Sequence, residues 1–248
     1  MTTIDENEVE KFSKIADEWW NENGKFKPLH KFNPIRLNFF KQEICKFFSR
    51  DEKLLTPFDG LQILDIGCGG GLVAEPISRL GANLIAIDAS QKNINVAQIH
   101  AEKSGLKIDY KCTTAEELAT QNQQFDVVLA LEIIEHVADV EKFIQACSQL
   151  VKPNGLLFIA TLNRTAKSLL MAKFGVEYIL RWLPIGTHDW RKFLKPSEIE
   201  NIAKNQQLQL KKIQGFSYNL IKDQWSFSED ISINYCLIFT KTCTKSNI

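Results

Sequence analysis

Short apolar runs recur along the chain, and between them the apolar residues fall at helical spacing. The runs at 61–66, 83–88, 107–112, 125–131 and 155–161 predict strands. The segments at about 71–80, 90–104, 114–119 and 139–151 predict helices, with Gly105 closing the second of them. Strands that are apolar on both faces are expected where helices cover both sides of a sheet. Strand–helix alternation builds a parallel, doubly wound sheet. Right-handed crossovers then place a ligand at the carboxyl ends of the strands.

The two ends of the chain depart from this alternation. Residues 5–22 and 34–50 read as helices, the first carrying Phe12, Ile15, Ala16, Trp19 and Trp20, the second opened by Pro34. Gly24 to His30 reads as their connector. A helix over 165–182 is expected as an insertion before Pro184, and another at about 196–205 after Lys195-Pro196-Ser197. The last two runs, about 207–216 and 231–241, have no long helix between them, which predicts an antiparallel pair. The expected fold is therefore α/β: a doubly wound, mostly parallel seven-stranded sheet with N-terminal helices and a helical insertion before the last helix and strands. One domain over 1–248 is expected, made of an N-terminal cap (1–58), a binding core (59–162), the insertion (163–195) and a C-terminal helix with strands (196–248).

Composition narrows the functional classes. A chain of 248 residues can bury a substantial core. Its 30 Lys+Arg balance 30 Asp+Glu, which argues against general nucleic-acid binding. None of the six cysteines forms a C-x-x-C pair or stands near a His at zinc spacing, so reduced thiols in a cytoplasmic protein are expected. The acidic N-terminus lacks the apolar stretch of a secretory signal, and no run approaches the ~18 apolar residues of a membrane span.

The chemistry concentrates where the first core strand ends. Leu64-Asp65-Ile66-Gly67-Cys68-Gly69-Gly70-Gly71 joins a strand to a helix, and glycines there let backbone approach a ligand. Asp88 ends the next strand, about 20 residues beyond Gly67, the interval that sets an acid on a ribose hydroxyl. Leu72 stands where a dinucleotide fingerprint needs a third glycine, which counts against an NAD-binding oxidoreductase. Asp65 is unfavourable beside a pyrophosphate and favourable beside a cation. S-adenosylmethionine carries a sulfonium and an α-amino group but no phosphate, so the pattern favours that cofactor. Gly67, Gly69, Asp65 and Asp88 are the expected contacts. Glu116, in the turn after the third strand, is placed to meet the adenine amine.

The fourth strand ends in Glu132-Ile133-Ile134-Glu135-His136. If this segment turns helically, Glu132, Glu135 and His136 share one face. Two readings stay open. His136 or a glutamate could act as general base toward a hydroxyl. Alternatively the three could hold Mg²⁺ or Mn²⁺, which would lower the hydroxyl pKa.

With these segments, the chain resembles the class I S-adenosylmethionine-dependent methyltransferases, whose sheet is Rossmann-like. More closely, it resembles the ubiquinone-biosynthesis O-methyltransferases. The resemblance also rests on Trp19-Trp20, Phe26-Lys27-Pro28-Leu29-His30, Asn33-Pro34-Ile35-Arg36-Leu37, Thr161-Leu162-Asn163-Arg164 and Gly186-Thr187-His188-Asp189. It implies methylation of a polyprenylated aromatic ring, at an early phenol and at a later demethylubiquinol. It implies cofactor contacts from Arg36, Gly67, Asp88 and Leu131, with Arg36 pairing the methionine carboxylate. Membership of a ubiquinone-biosynthesis complex is a further implication, and related enzymes suggest the divalent metal. Residues 165–183 combine Lys173, Glu177 and Arg181 on one stripe with Leu169, Phe174, Trp182 and other apolar residues. Such a helix suits a peripheral position on the membrane that would hold a prenylated substrate. Methylation of another small molecule is the alternative activity.

Overall fold

The computed structural model describes residues 3–170 and 190–242. Its sheet contains β1 (Gln62–Ile66), β2 (Asn83–Asp88), β3 (Asp109–Cys112), β4 (Phe125–Leu131), β5 (Val151–Leu162), β6 (Leu208–Asn219), β7 (Gln224–Ser228) and β8 (Asn234–Lys241). They lie in the order β3-β2-β1-β4-β5-β8-β6-β7. The first five pair in parallel, while β8 runs antiparallel to both β5 and β6. Strand order reverses between β1 and β4, so their carboxyl ends flank a crevice.

Adjacent residues of the central strands face opposite sides of the sheet, because side chains alternate along a strand. Ile63 and Leu129 pack on one side with Phe39, Phe40 and Phe158; Leu64 and Val128 pack on the other with Phe143, Leu157 and Leu237. The first side is covered by α2 (Lys27–Phe47), α3 (Ala74–Arg79) and α4 (Gln91–Lys103). The second is covered by α5 (Ala115–Ala119), α6 (Val140–Leu150) and α8 (Pro196–Asn205). Ser90 and Asp139 cap α4 and α6 through side-chain oxygens, and Thr114 forms a capping box with Glu117 at α5.

Several boundaries differ from the pattern-based expectation. The sheet has eight strands rather than seven. The extra one is β7, where Gln224-Trp225-Ser226-Phe227-Ser228 alternates polar and apolar residues on a partly exposed edge. The first helix is only α1 (Glu6–Ser13), followed by a short turn at Ala16–Glu18: Ile15, at φ −111° and ψ 9°, breaks the helical path, and Trp19 beyond it stacks on Phe26 at 3.7 Å. The second helix begins at Lys27, not 34: Pro28 occupies its first turn, and Pro34 lies inside it on the exposed side. An interior proline costs about 3 kcal/mol. Here the buried face of Phe32, Asn33, Arg36, Phe39, Phe40 and Ile44 holds the helix together across it. Within the insertion the structure describes 163–170, with α7 (Ala166–Leu170), and 190–195; the remainder of the expected 165–182 helix, and Gly186 to Asp189, lie outside the described residues. Among the described residues no helix is long and apolar enough to cross a membrane.

Phe40 is fully buried against Phe158, whereas Ile221, at a hairpin tip, is 97% exposed. Phe40→Ala is expected to lower unfolding free energy by about 3–5 kcal/mol. Ile221→Ala should stay within about 0.5 kcal/mol. Urea midpoints of the two variants test this, and equal shifts would contradict the packing described here.

Candidate active site

The loop after β1 is shaped by β2. Gly67 and Cys68 donate their N–H groups to the Ile87 carbonyl at 2.8 and 3.0 Å. Gly69 N–H donates to Asp88 Oδ2 at 2.9 Å. Asp88 Oδ1 accepts from Ser90 N–H at 2.8 Å and from Asn93 Nδ2 at 3.1 Å. Burial pushes the Asp88 carboxyl pKa up, and these donors oppose the rise. The carboxylate therefore ties the loop to the start of α4 while standing at the edge of the crevice.

The glycines answer a second demand besides ligand approach. Gly69 has φ +53°, and a Cβ there would meet the Trp19 ring at 2.4 Å. Trp19 donates its indole N–H to Asn93 Oδ1 at 3.0 Å, and Trp20 donates its own to the Gly70 carbonyl at 2.9 Å. The tryptophan pair thus closes onto the glycine loop, a contact that hydrophobic spacing alone does not reveal.

The cleft beside this loop encloses about 850 Å³, counting its open mouth. Of the residues expected from sequence, Gly67, Gly69, Asp88, Glu116, Glu132 and His136 stand on its wall. Its roof is the N-terminal segment. Thr3 donates its hydroxyl to Glu116 Oε1 at 2.5 Å, and its carbonyl accepts from Ala138 N–H at 2.8 Å. Glu8 and Phe12 of α1 also face the cleft. Sequence reasoning assigned no role to Thr3, Glu8 or Phe12. The apolar face of α1 was the only signal, and it does not say what that face covers.

Arg36, Asp65, Leu131 and Glu135 are not on that wall; they are buried behind it. Arg36 donates twice to Asn33 Oδ1, at 2.8 and 3.3 Å, and Asn33 in turn donates to the Leu72 carbonyl at 2.6 Å. Asp65 Oδ2 is buried with no hydrogen-bond partner. Burial pushes the Asp65 carboxyl up to about 7, against the pull of the Arg36 charge. An unsatisfied buried acceptor near a buried guanidinium suits a ligand end that carries both an ammonium and a carboxylate.

The segment after β4 does not form the single face expected of it. Glu132 has φ +52°, which breaks the helical path before a short turn at Ile134–His136. Burial first, and then the Glu135 charge, raises the Glu132 carboxyl pKa, while Arg36 opposes the rise. Glu135 accepts the Thr161 hydroxyl at Oε2, 2.7 Å away, and its Oε1 is buried without a partner. His136 Nδ1 lies 3.0 Å from Glu8 Oε2. Among the described residues no three His, Cys, Asp or Glu are grouped to hold a metal ion. The Glu132, Glu135 and His136 set expected for Mg²⁺ is not such a group: Glu135 holds the Thr161 hydroxyl, and His136 turns Nδ1 to Glu8.

Residues 64–159 match a family described as a methyltransferase domain. Among solved structures, magnesium protoporphyrin IX methyltransferase from Synechocystis PCC 6803, with bound S-adenosylhomocysteine, aligns with TM-score 0.62 at 16% identity, covering 88% of this chain and 86% of that one. A S-adenosylmethionine-dependent methyltransferase from Clostridium acetobutylicum ATCC 824 aligns with TM-score 0.62 at 17% identity, covering 94% and 99%. The sheet order and the glycine-loop cleft define a class I S-adenosylmethionine-dependent methyltransferase. The ubiquinone biosynthesis O-methyltransferase of Bartonella bacilliformis is 56% identical over 237 residues, 96% of either chain. That of Pelagibacter ubique is 53% identical over 244 residues, 97% of this chain and 100% of its own. The chain belongs to the ubiquinone biosynthesis O-methyltransferase family.

The raised Asp65 carboxyl has a measurable consequence. An ammonium group bound beside it favours the ionised form, so binding below about pH 7 expels a proton. Affinity for S-adenosylhomocysteine should therefore fall as pH drops below about 7, by up to about tenfold per unit. Asp65→Asn should weaken binding and flatten this dependence. Calorimetric titration across pH 5.5–8 (about 2.5 pH units) checks both, and an unaltered slope in the variant would remove Asp65 from the cofactor site.

Proposed function

We propose that this protein transfers the sulfonium methyl group of S-adenosylmethionine to ring hydroxyls of polyprenylated phenol and catechol intermediates of ubiquinone biosynthesis. The two substrates are a 2-polyprenyl-6-hydroxyphenol and 3-demethylubiquinol. The observation that carries the reading is the 56% identity, over nearly the full chain, to an enzyme of that name. Peripheral lipid contact through 165–183 belongs to the same reading, although residues 171–183 lie outside those described.

The buried acceptor and the buried guanidinium support the choice of cofactor. Asp65 receives the α-amino group and Arg36 the carboxylate of the methionine end. Asp88 holds the ribose hydroxyls with the lone pairs left over from Gly69, Ser90 and Asn93. The Gly67–Gly69 backbone packs along the ligand, and Leu131 and Glu116 border the adenine. When bound, the cofactor supplies an electrophilic methyl group, and its C–S bonding pair leaves with S-adenosylhomocysteine.

The chain's own task is to hold a ring hydroxyl in line and take its proton. His136 is the base: it stands on the cleft wall, and its charged form is favoured by Glu8 and Glu135 against the cost of burial. The hydroxyl oxygen supplies the electron pair of the new C–O bond while its proton passes to the imidazole. Glu132 and Glu135 stabilise the protonated ring electrostatically. Holding the oxygen and methyl carbon near contact (about 3–3.5 Å) supplies much of the acceleration.

Mass spectrometry of the purified protein with S-adenosylmethionine and a polyprenylated catechol in liposomes tests this. A ring product heavier by one CH₂ together with released S-adenosylhomocysteine is expected. No product, with cofactor binding intact, would discard the quinone-precursor substrate. His136→Ala should lower kcat by about 10²–10⁴ while leaving cofactor affinity nearly unchanged. Full turnover in that variant would remove His136 as the base.

A further inference from the structure

We propose that Glu8 is a positioning residue for His136, carried into the site by α1, so that the base is complete only when the N-terminal helix is docked. This rests on the reading of His136 as the base.

Four observations carry it. Glu8 Oε2 stands 3.0 Å from His136 Nδ1, across 128 positions of sequence, so tertiary packing makes the contact. Phe12, one turn further along α1, sets its ring edge-to-face with the imidazole at 5.2 Å and 79°. Lys192 Nζ lies 3.3 Å from Glu8 Oε1 and 3.0 Å from Asp5 Oδ2, which holds the carboxylate from its other side. The Thr3 carbonyl accepts from Ala138 N–H, so the backbone just beyond His136 is bound to the same N-terminal segment.

The chemistry follows from the carboxylate. Its hydrogen bond with His136, reinforced by that charge and by Lys11 and Lys192, lowers the Glu8 pKa to about 2. Near neutral pH Glu8 is therefore an acceptor only, and Nδ1 must carry the hydrogen between them. A neutral imidazole so held has its lone pair on Nε2 and takes up a proton there. After uptake, Nδ1–H stays with Glu8, and the new Nε2 proton later passes to solvent. Without the Glu8 carboxylate nothing fixes the hydrogen on Nδ1 from that side, and the other tautomer, with the wrong nitrogen as acceptor, gains population. The same helix roofs the cofactor cleft. Cleft closure and completion of the base are thus one event.

The test uses the full chain with Glu8→Ala and Glu8→Gln. Three quantities are read: kcat, the S-adenosylhomocysteine Kd, and the imidazole ¹⁵N shifts of His136 in the complex with that product. The expected result is a kcat loss of at least about tenfold. Kd should stay within about threefold, and the ¹⁵N shifts should move from a fixed Nδ1–H form to a tautomer mixture. Unchanged kcat and unchanged shifts would overturn the proposal. A parallel loss of kcat and product affinity with the tautomer retained would also overturn it, since Glu8 would then only dock α1. His136→Ala separates the two levels. If it keeps full turnover, the base reading itself fails. If it is impaired while Glu8→Ala is not, only the role of Glu8 falls.

Discussion

The Asp88 carboxylate holds the carboxyl ends of β1 and β2 together, and most of the site depends on it. Its hydrogen bond from Gly69 N–H, at 2.9 Å, sets the course of the glycine loop where strand order reverses. The same carboxylate accepts from Ser90 and Asn93 at the start of α4. Asn93 then accepts the Trp19 indole N–H, and Trp19 covers Gly69. One acid thus links strand, loop, helix and N-terminal cap. Each partner is satisfied by the next, as buried polar groups must be.

A second constraint is the cost of buried charge. Arg36, Asp65 and Glu135 are each nearly inaccessible. An isolated buried charge is expensive, and pairing relieves it only where hydrogen bonds complete the arrangement. Asp65 Oδ2 and Glu135 Oε1 remain without partners. Unsatisfied buried acceptors just behind a cleft wall mark places where a ligand, not the fold, completes the bonding. The left-handed backbone at Glu132 adds local strain at the same rim.

The N-terminal segment changes the picture of the site more than any other element. A methyltransferase core alone would leave the cleft open. Here Thr3, Glu8 and Phe12 roof it, and Lys192, near the end of the insertion, fastens the same segment.

What was legible in the sequence was periodic or local. Apolar runs, capping residues and the glycine loop fixed the parallel core and its crevice, because helix and strand periodicity and backbone freedom are properties of neighbouring residues. Lys195-Pro196 announced α8 where it lies, and Gly67, Asp88 and His136 all reach the crevice as their positions require. The start of α2 was missed because its interior proline is tolerated only through packing across the fold. β7 was missed because a short, half-polar edge strand carries a weak pattern. The shared face of Glu132, Glu135 and His136 depended on one backbone angle that spacing does not report. The Glu8–His136 contact joins residues 128 positions apart, and Trp19 meets a loop 50 positions away. Such contacts are chosen by how helices pack on the sheet. The sequence determined which chemistry was present at the crevice, and the tertiary structure decided which groups face one another there.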